Sequence, residues 1–266
     1  MFPELNNLLN VSPEKPEQGT FTLLCDNKTD GSFLVHHFLS FYLRANCKVC
    51  FVALLQSFSH YNIVGQKLGV NLIAARDRGQ LVFLEGLKST VEILFGSEEQ
   101  SNTLKFIRES DTDLKSLYEM VHKALTPSGD GDAASRKFPV LLVDDLSVLL
   151  SLGVRAVAVL DFIQACRATV CCQLKGNVLA LVHDSDKTED EENALLMNAL
   201  GHQSSLILRA EGLLTGFCKD VHGQLKILWR GLQQPKSEQT RNLIYQYKIQ
   251  DKNVTFFAKG LSPAVL

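Results

Sequence analysis

The run Val140-Leu141-Leu142-Val143-Asp144-Asp145 decides the fold. It is the clearest strand in the chain, a continuous apolar stretch that ends in two adjacent carboxylates. Upstream, residues 19–25 form a run of β-forming residues and are followed by the turn-rich segment Asp26-Asn27-Lys28-Thr29-Asp30-Gly31. From 32 to 45, Leu34, Val35, Phe38, Leu39 and Tyr42 recur at helical spacing, and 49–55 is apolar again. The spacing predicts a helix at 60–68, a strand at 81–84, and a helix at 113–125 with Leu114, Leu117, Val121 and Leu125 on one face. Downstream, a helix over 154–172, a strand over 177–182, a helix over 192–200 and a short strand at 205–208 repeat the alternation. Strands that are apolar throughout, separated by helices, imply a mainly parallel sheet covered on both faces.

Residues 188–191, Thr-Glu-Asp-Glu, have the form of a capping box for the helix that follows. After residue 213 the period changes. Residues 217–221 and 224–229 flank His222-Gly223, and 243–249 and 254–257 flank 250–253, so two antiparallel β-hairpins are expected to extend the sheet or pack on its rim. The whole chain, 1–266, reads as one domain with a lead at 1–18, a flexible loop at 127–137 and a hairpin extension at 213–266.

At 266 residues, 45% apolar and 21% charged, the chain has the composition of a folded α/β domain rather than a disordered or fibrous one. A net charge of -2 is unlike the basic body of an autonomous nucleic-acid binder. Its most apolar region, 140–162, is interrupted by Asp144, Asp145 and Arg155, so no uncharged run approaches the roughly 18 residues of a membrane span. Residues 1–11 lack the basic start of a signal peptide. Seven scattered cysteines read as reduced, mostly buried thiols of a cytosolic or nuclear protein.

In nucleotide-binding α/β proteins the loop after the first strand is G-x-x-x-x-G-K-[ST], whose amides, lysine and hydroxyl hold phosphate and magnesium. Here the second glycine survives as Gly31. The first is Asp26, the lysine position is Ser32 and the hydroxyl position is Phe33. Acidic residues would repel phosphate, and Lys28-Thr29 lies in the loop rather than at the helix start, so an ordinary polar turn is the better reading. The strand ending in Asp144 and Asp145 still resembles one that positions magnesium. After the second strand, where RecA-type ATPases carry a water-activating glutamate, the chain has Gln56-Ser57, and an amide cannot accept that proton. The architecture is therefore expected to be RecA-like (P-loop NTPase-type) with degenerate nucleotide motifs and no hydrolysis of its own.

Together, residues 19–24 with that loop, Lys48-Val49-Cys50-Phe51-Val52, residues 140–145 and the segment 216–225 resemble the family of Elongator complex subunit 6, over essentially the whole chain. The resemblance implies a RecA-like fold without working nucleotide motifs, in a heterohexameric ring with Elongator subunits four and five. It further implies association with the catalytic Elongator core, tRNA binding by the assembled complex, and support of C5 modification of the wobble uridine, with the chemistry carried by another subunit. On this reading the chain needs no cofactor and no metal, touches no membrane, and works in the cytoplasm or the nucleus.

RecA-like rings turn the loops after their strands toward the pore. In residues 147–155, Arg155 is a candidate contact to tRNA or to a neighbouring subunit. In 183–192, Lys187 is the only cation of an acidic loop, which reads better as a solvated helix start stabilised by Asp190 and Glu191.

Cys47 and Cys50 have C-x-x-C spacing but no second pair, which favours structural thiols over a metal site. His36 and His37 diverge on one helix. His183-Asp184 is a possible proton-transfer pair, and Ser57 or Ser59-His60 lacks the G-x-S-x-G setting of a hydrolase. Lys236, Arg241 and Lys248 interleave with Tyr245 and Tyr247, a mixture that suits RNA stacking or, better, an interface hairpin. Two competing readings stand beside the scaffold: a solitary nucleotide hydrolase with an unconventional phosphate loop, and a recombinase-like DNA assembly factor.

Overall fold

The computed structural model describes residues 1–86, 114–126, 136–184, 190–214, 216, 218–230 and 242–258. In chain order its elements are α1 (Pro3–Leu9), β1 (Phe21–Asn27), α2 (Ser32–Arg44), β2 (Lys48–Ala53), α3 (Phe58–Lys67), α4 (Leu72–Asp77), β3 (Leu81–Glu85) and α5 (Lys115–Leu125). They continue with β4 (Pro139–Asp144), α6 (Leu146–Ser151), α7 (Ala156–Arg167), β5 (Asn177–His183), α8 (Glu191–Gln203), β6 (Leu206–Glu211), β7 (Gly223–Trp229), β8 (Asn242–Ile249) and β9 (Val254–Ala258). Among the described residues nine strands form one sheet, in the order β3-β2-β4-β5-β1-β6-β7-β8-β9. The first six pair in parallel and the last three antiparallel.

β4 runs through the middle of the parallel part with every residue from Val140 to Asp144 buried, which is why its sequence is apolar without alternation. Its Leu142 packs into one core layer with Phe51, Leu181 and α2. Leu141 and Val143 pack into the other layer with α5, α7 and α8. Leu114, Leu117, Val121 and Leu125 all face that second layer, as their spacing requires. α7 continues through a π-helical turn at Ala168–Gln173. The stretch Ala156–Gln173 is apolar enough by composition to cross a membrane, with a mean hydropathy of 1.3, yet Val159, Ile163, Cys166 and Val170 are spent on the core.

The structure corrects several sequence expectations. Residues 3–9 of the lead are helical: the Phe2 N–H donates to His37 Nδ1 at 3.0 Å, and Glu4 accepts the Phe256 N–H of edge strand β9 at 2.9 Å. Of residues 147–155, expected as a loop, 147–151 are helical, because Asp145 caps α6 there, and only 152–155 connect to α7 without regular structure. α8 starts at Glu191, capped by Asp190 through the Asn193 N–H at 3.0 Å; Thr188, the expected cap, lies outside the described residues.

The first expected hairpin is also absent among the described residues. β7 pairs with β6 and β8, and no described residue of 212–222 is a strand. Alternation identified β7 as a strand but carried no information about its partner. The second hairpin is β8–β9, and together with β7 it extends the sheet antiparallel. Most of the loop expected at 127–137 lies outside the described residues.

Candidate functional site

The carboxyl ends of β1, β4 and β5 are where a parallel α/β sheet presents ligand-binding loops. Here they present acids that are already engaged. Asp26, at the end of β1, is buried; its Oδ2 accepts the Gly31 N–H at 2.9 Å and its Oδ1 lies 2.8 Å from His183 Nδ1. Burial raises its pKa from the ordinary carboxylate value, partly offset by the Gly31 N–H and by His183. One residue into α2, the Ser32 N–H donates to Asp30 Oδ1 at 2.8 Å. Amides that would cradle a phosphate at this helix start are thus held by side-chain carboxylates of the same loop.

Gly31 has a local reason to be glycine, since a Cβ there would fall 2.7 Å from the Cβ of Asp26. Ser32 is half-buried and carries no cation toward the loop. Phe33, at the position of the metal-binding hydroxyl, is a core residue, 5% exposed, with its ring 5.0 Å from Tyr247 and 6.4 Å from Phe2. Lys28 takes a left-handed backbone (φ 53°) and Thr29 Oγ1 lies 3.1 Å from the Tyr247 hydroxyl, so the loop is fastened to β8 rather than open over a ligand.

Asp144 is 1% exposed, and its Oδ2 accepts a hydrogen bond from the Tyr61 hydroxyl of α3 while Oδ1 is buried with no partner. Burial pushes its pKa up to about 7, against the lowering effect of the Tyr61 bond. Asp145 accepts the Ser147 N–H at 2.7 Å, and burial raises its pKa to about 6. Ser147 in turn accepts the His183 N–H on Oγ at 2.8 Å, tying α6 to β5. Among the described residues no group of three or more His, Cys, Asp or Glu side chains is gathered to hold a metal ion.

Several constellations resolve into structural roles. His183 faces Asp26, and its neighbour Asp184 pairs instead with Arg209 at 2.5 Å. Ser57 caps α3 by accepting the His60 N–H. Cys47 and Cys50 are buried thiols whose pKa values burial raises to about 11 and about 12. His36 and His37 diverge, the first toward Tyr61 and His60, the second toward Phe2.

Tyr247 is fully buried, so it offers no stacking surface to RNA, and Lys248 is bound to Asp220. Lys236, Arg241 and Lys187 lie outside the described residues. Arg155 is exposed at the start of α7, where Glu192 of α8 accepts the neighbouring Ala156 N–H. Sequence reasoning missed Tyr61, which donates to Asp144 Oδ2; its separation of 83 residues from that partner left no local signal.

The family model for Elongation complex protein 6 matches residues 2–251. The chain belongs to the Elongator complex protein 6 family. It is 71% identical to Elongator complex protein 6 of Mus musculus and 68% identical to that of Homo sapiens, each over 267 residues covering 100% of both chains. Elongator complex protein 6 membership makes it a component of Elongator. In fold it is similar to an uncharacterized protein of Pyrococcus horikoshii, crystallised with an unknown peptide. That similarity has a TM-score of 0.64 at 12% identity and covers 97% of this chain and 98% of the other. The fold is RecA-like: a largely parallel sheet flanked by helices.

Proposed function

We propose that this Elongator component is a noncatalytic scaffold of a heterohexameric RecA-like ring with subunits four and five. In this reading the ring binds tRNA and supports wobble-uridine C5 modification by the catalytic core, in the cytoplasm or the nucleus. The observation that carries the proposal is the loop after β1, where Asp26 and Asp30 accept the Gly31 and Ser32 amides and Phe33 is packed into the core. A nucleotide there would have to displace two internal hydrogen bonds and meet like charge, with Ser32 rather than a lysine at the helix start. The chain's contribution is then geometric: it completes interfaces and places its neighbours' loops around tRNA, with Arg155, which is exposed, and Lys187 as candidate contacts to RNA or to a neighbouring subunit.

The test is titration of the purified chain with Mg-ATP by calorimetry, alongside a phosphate-release assay. The scaffold reading expects neither binding nor turnover. Turnover that disappears in Asp144→Asn would instead establish a solitary hydrolase.

A further inference from the structure

Where the last turns of α8 meet β6 and β7 lies a groove of about 210 Å³. Its wall is the last turns of α8, opened by Gly201. Its floor includes Ile207 and Leu228, and Arg209, Lys226 and Arg230 reach into it from β6, β7 and the end of β7. Among the described residues the lining contains these three cations and no carboxylate.

Arg209 and Lys226 are direct partners across the antiparallel β6–β7 ladder, a like-charge pair that opposes strand pairing. Each draws a carboxylate from outside the groove: Arg209 takes Asp184 at 2.5 Å and Lys226 takes Glu211 at 2.6 Å. Arg230 pairs with no carboxylate among the described residues; its Nη1 donates to the Gly201 carbonyl at 2.6 Å. A guanidinium has five N–H donors, so both arginines keep donors to spare. Among the described residues the groove therefore holds positive charge in excess of its counterions, beside an apolar floor.

We propose that this groove binds a phosphate ester. The cations match phosphate in charge and in donor geometry, and the apolar floor suits the sugar or base attached to it. A volume of about 210 Å³ accepts one phosphate-bearing unit rather than a whole nucleoside triphosphate, which points to a backbone phosphodiester of RNA or a nucleoside monophosphate. The site is separate from the loop after β1, whose amides are occupied.

The RNA arm rests on the ring reading above; the monophosphate arm does not. The test compares the full chain, alone and in the reconstituted complex, with the double variant Lys226→Gln/Arg230→Gln. A control removes two exposed charges elsewhere, Lys67→Gln/Lys123→Gln. Native mass spectrometry checks assembly separately, and a thermal melt checks folding.

If RNA is the source, the groove variant assembles normally, loses about tenfold in tRNA affinity, and shows a salt slope smaller by about two, while the control does not. If a free monophosphate is the source, AMP shifts the groove's amide NMR signals in the full chain alone and the variant abolishes the shifts. The proposal is overturned if the variant changes neither readout, or if the control lowers tRNA affinity equally.

Discussion

Replacing Asp144 by asparagine tests whether the acid at the end of β4 is a buried structural group or an instrument of hydrolysis. The carboxyl is 1% exposed and its pKa lies near 7 against an ordinary 3.8. The folded state therefore holds a proton that the unfolded chain has released. Stability from this group is complete below about pH 4 and falls as the pH rises toward 7. A difference of about three units at roughly 1.4 kcal/mol per unit gives on the order of 4 kcal/mol.

The amide keeps an acceptor for Tyr61 but leaves its NH₂ unpaired where Oδ1 now lies buried, which costs about 1 kcal/mol. Asp144→Asn is thus expected to be more stable than the wild type by on the order of 3 kcal/mol at pH 8, a rise in Tm of roughly 6 to 12 °C. At pH 4.5 the two should differ by less than about 1 kcal/mol, because the wild-type carboxyl is then protonated. The assay is paired urea melts across that range. A variant less stable than the wild type at pH 8 would refute the reasoning, and a difference that does not depend on pH would refute the assigned titration.

Phe33→Thr, which restores a hydroxyl at the magnesium position, is expected to lose about 3 kcal/mol through its contacts with Phe2 and Tyr247, read by chemical denaturation, and to gain no nucleotide binding. Burial lowers the pKa values of His36 and His37 to about 4 and about 3, so their contribution to stability is complete above pH 6.5 and is lost as the pH falls. His37→Leu should cost about 1 to 2 kcal/mol at pH 7, where the Phe2 N–H loses its acceptor, and should lose less on acidification than the wild type; a steeper acid loss in the variant would contradict this.

The parallel half of the fold was legible because β4, β2 and β5 lie covered on both faces, so their apolar runs carry no alternation to confuse with a helix. The antiparallel half was less so: Gln224–Trp229 alternates as a strand should, but whether residues 217–221 or β6 lay beside it was a question of tertiary pairing. α1 escaped notice because its seven residues gain their order from His37 and β9 rather than from local pattern.

At the candidate site, the substitutions at Asp26, Ser32 and Phe33 could be read directly. Their consequence, carboxylates seated on the loop's own amides, needed the fold. The groove was invisible for a different reason: Arg209, Lys226 and Arg230 meet only because β6 and β7 pair in one register.

The scaffold account is tested most directly by native mass spectrometry of this chain expressed alone and then with Elongator subunits four and five. It predicts a heterohexamer only on coexpression, containing this chain in stoichiometric amount. A stable monomer that ignores both partners would contradict it.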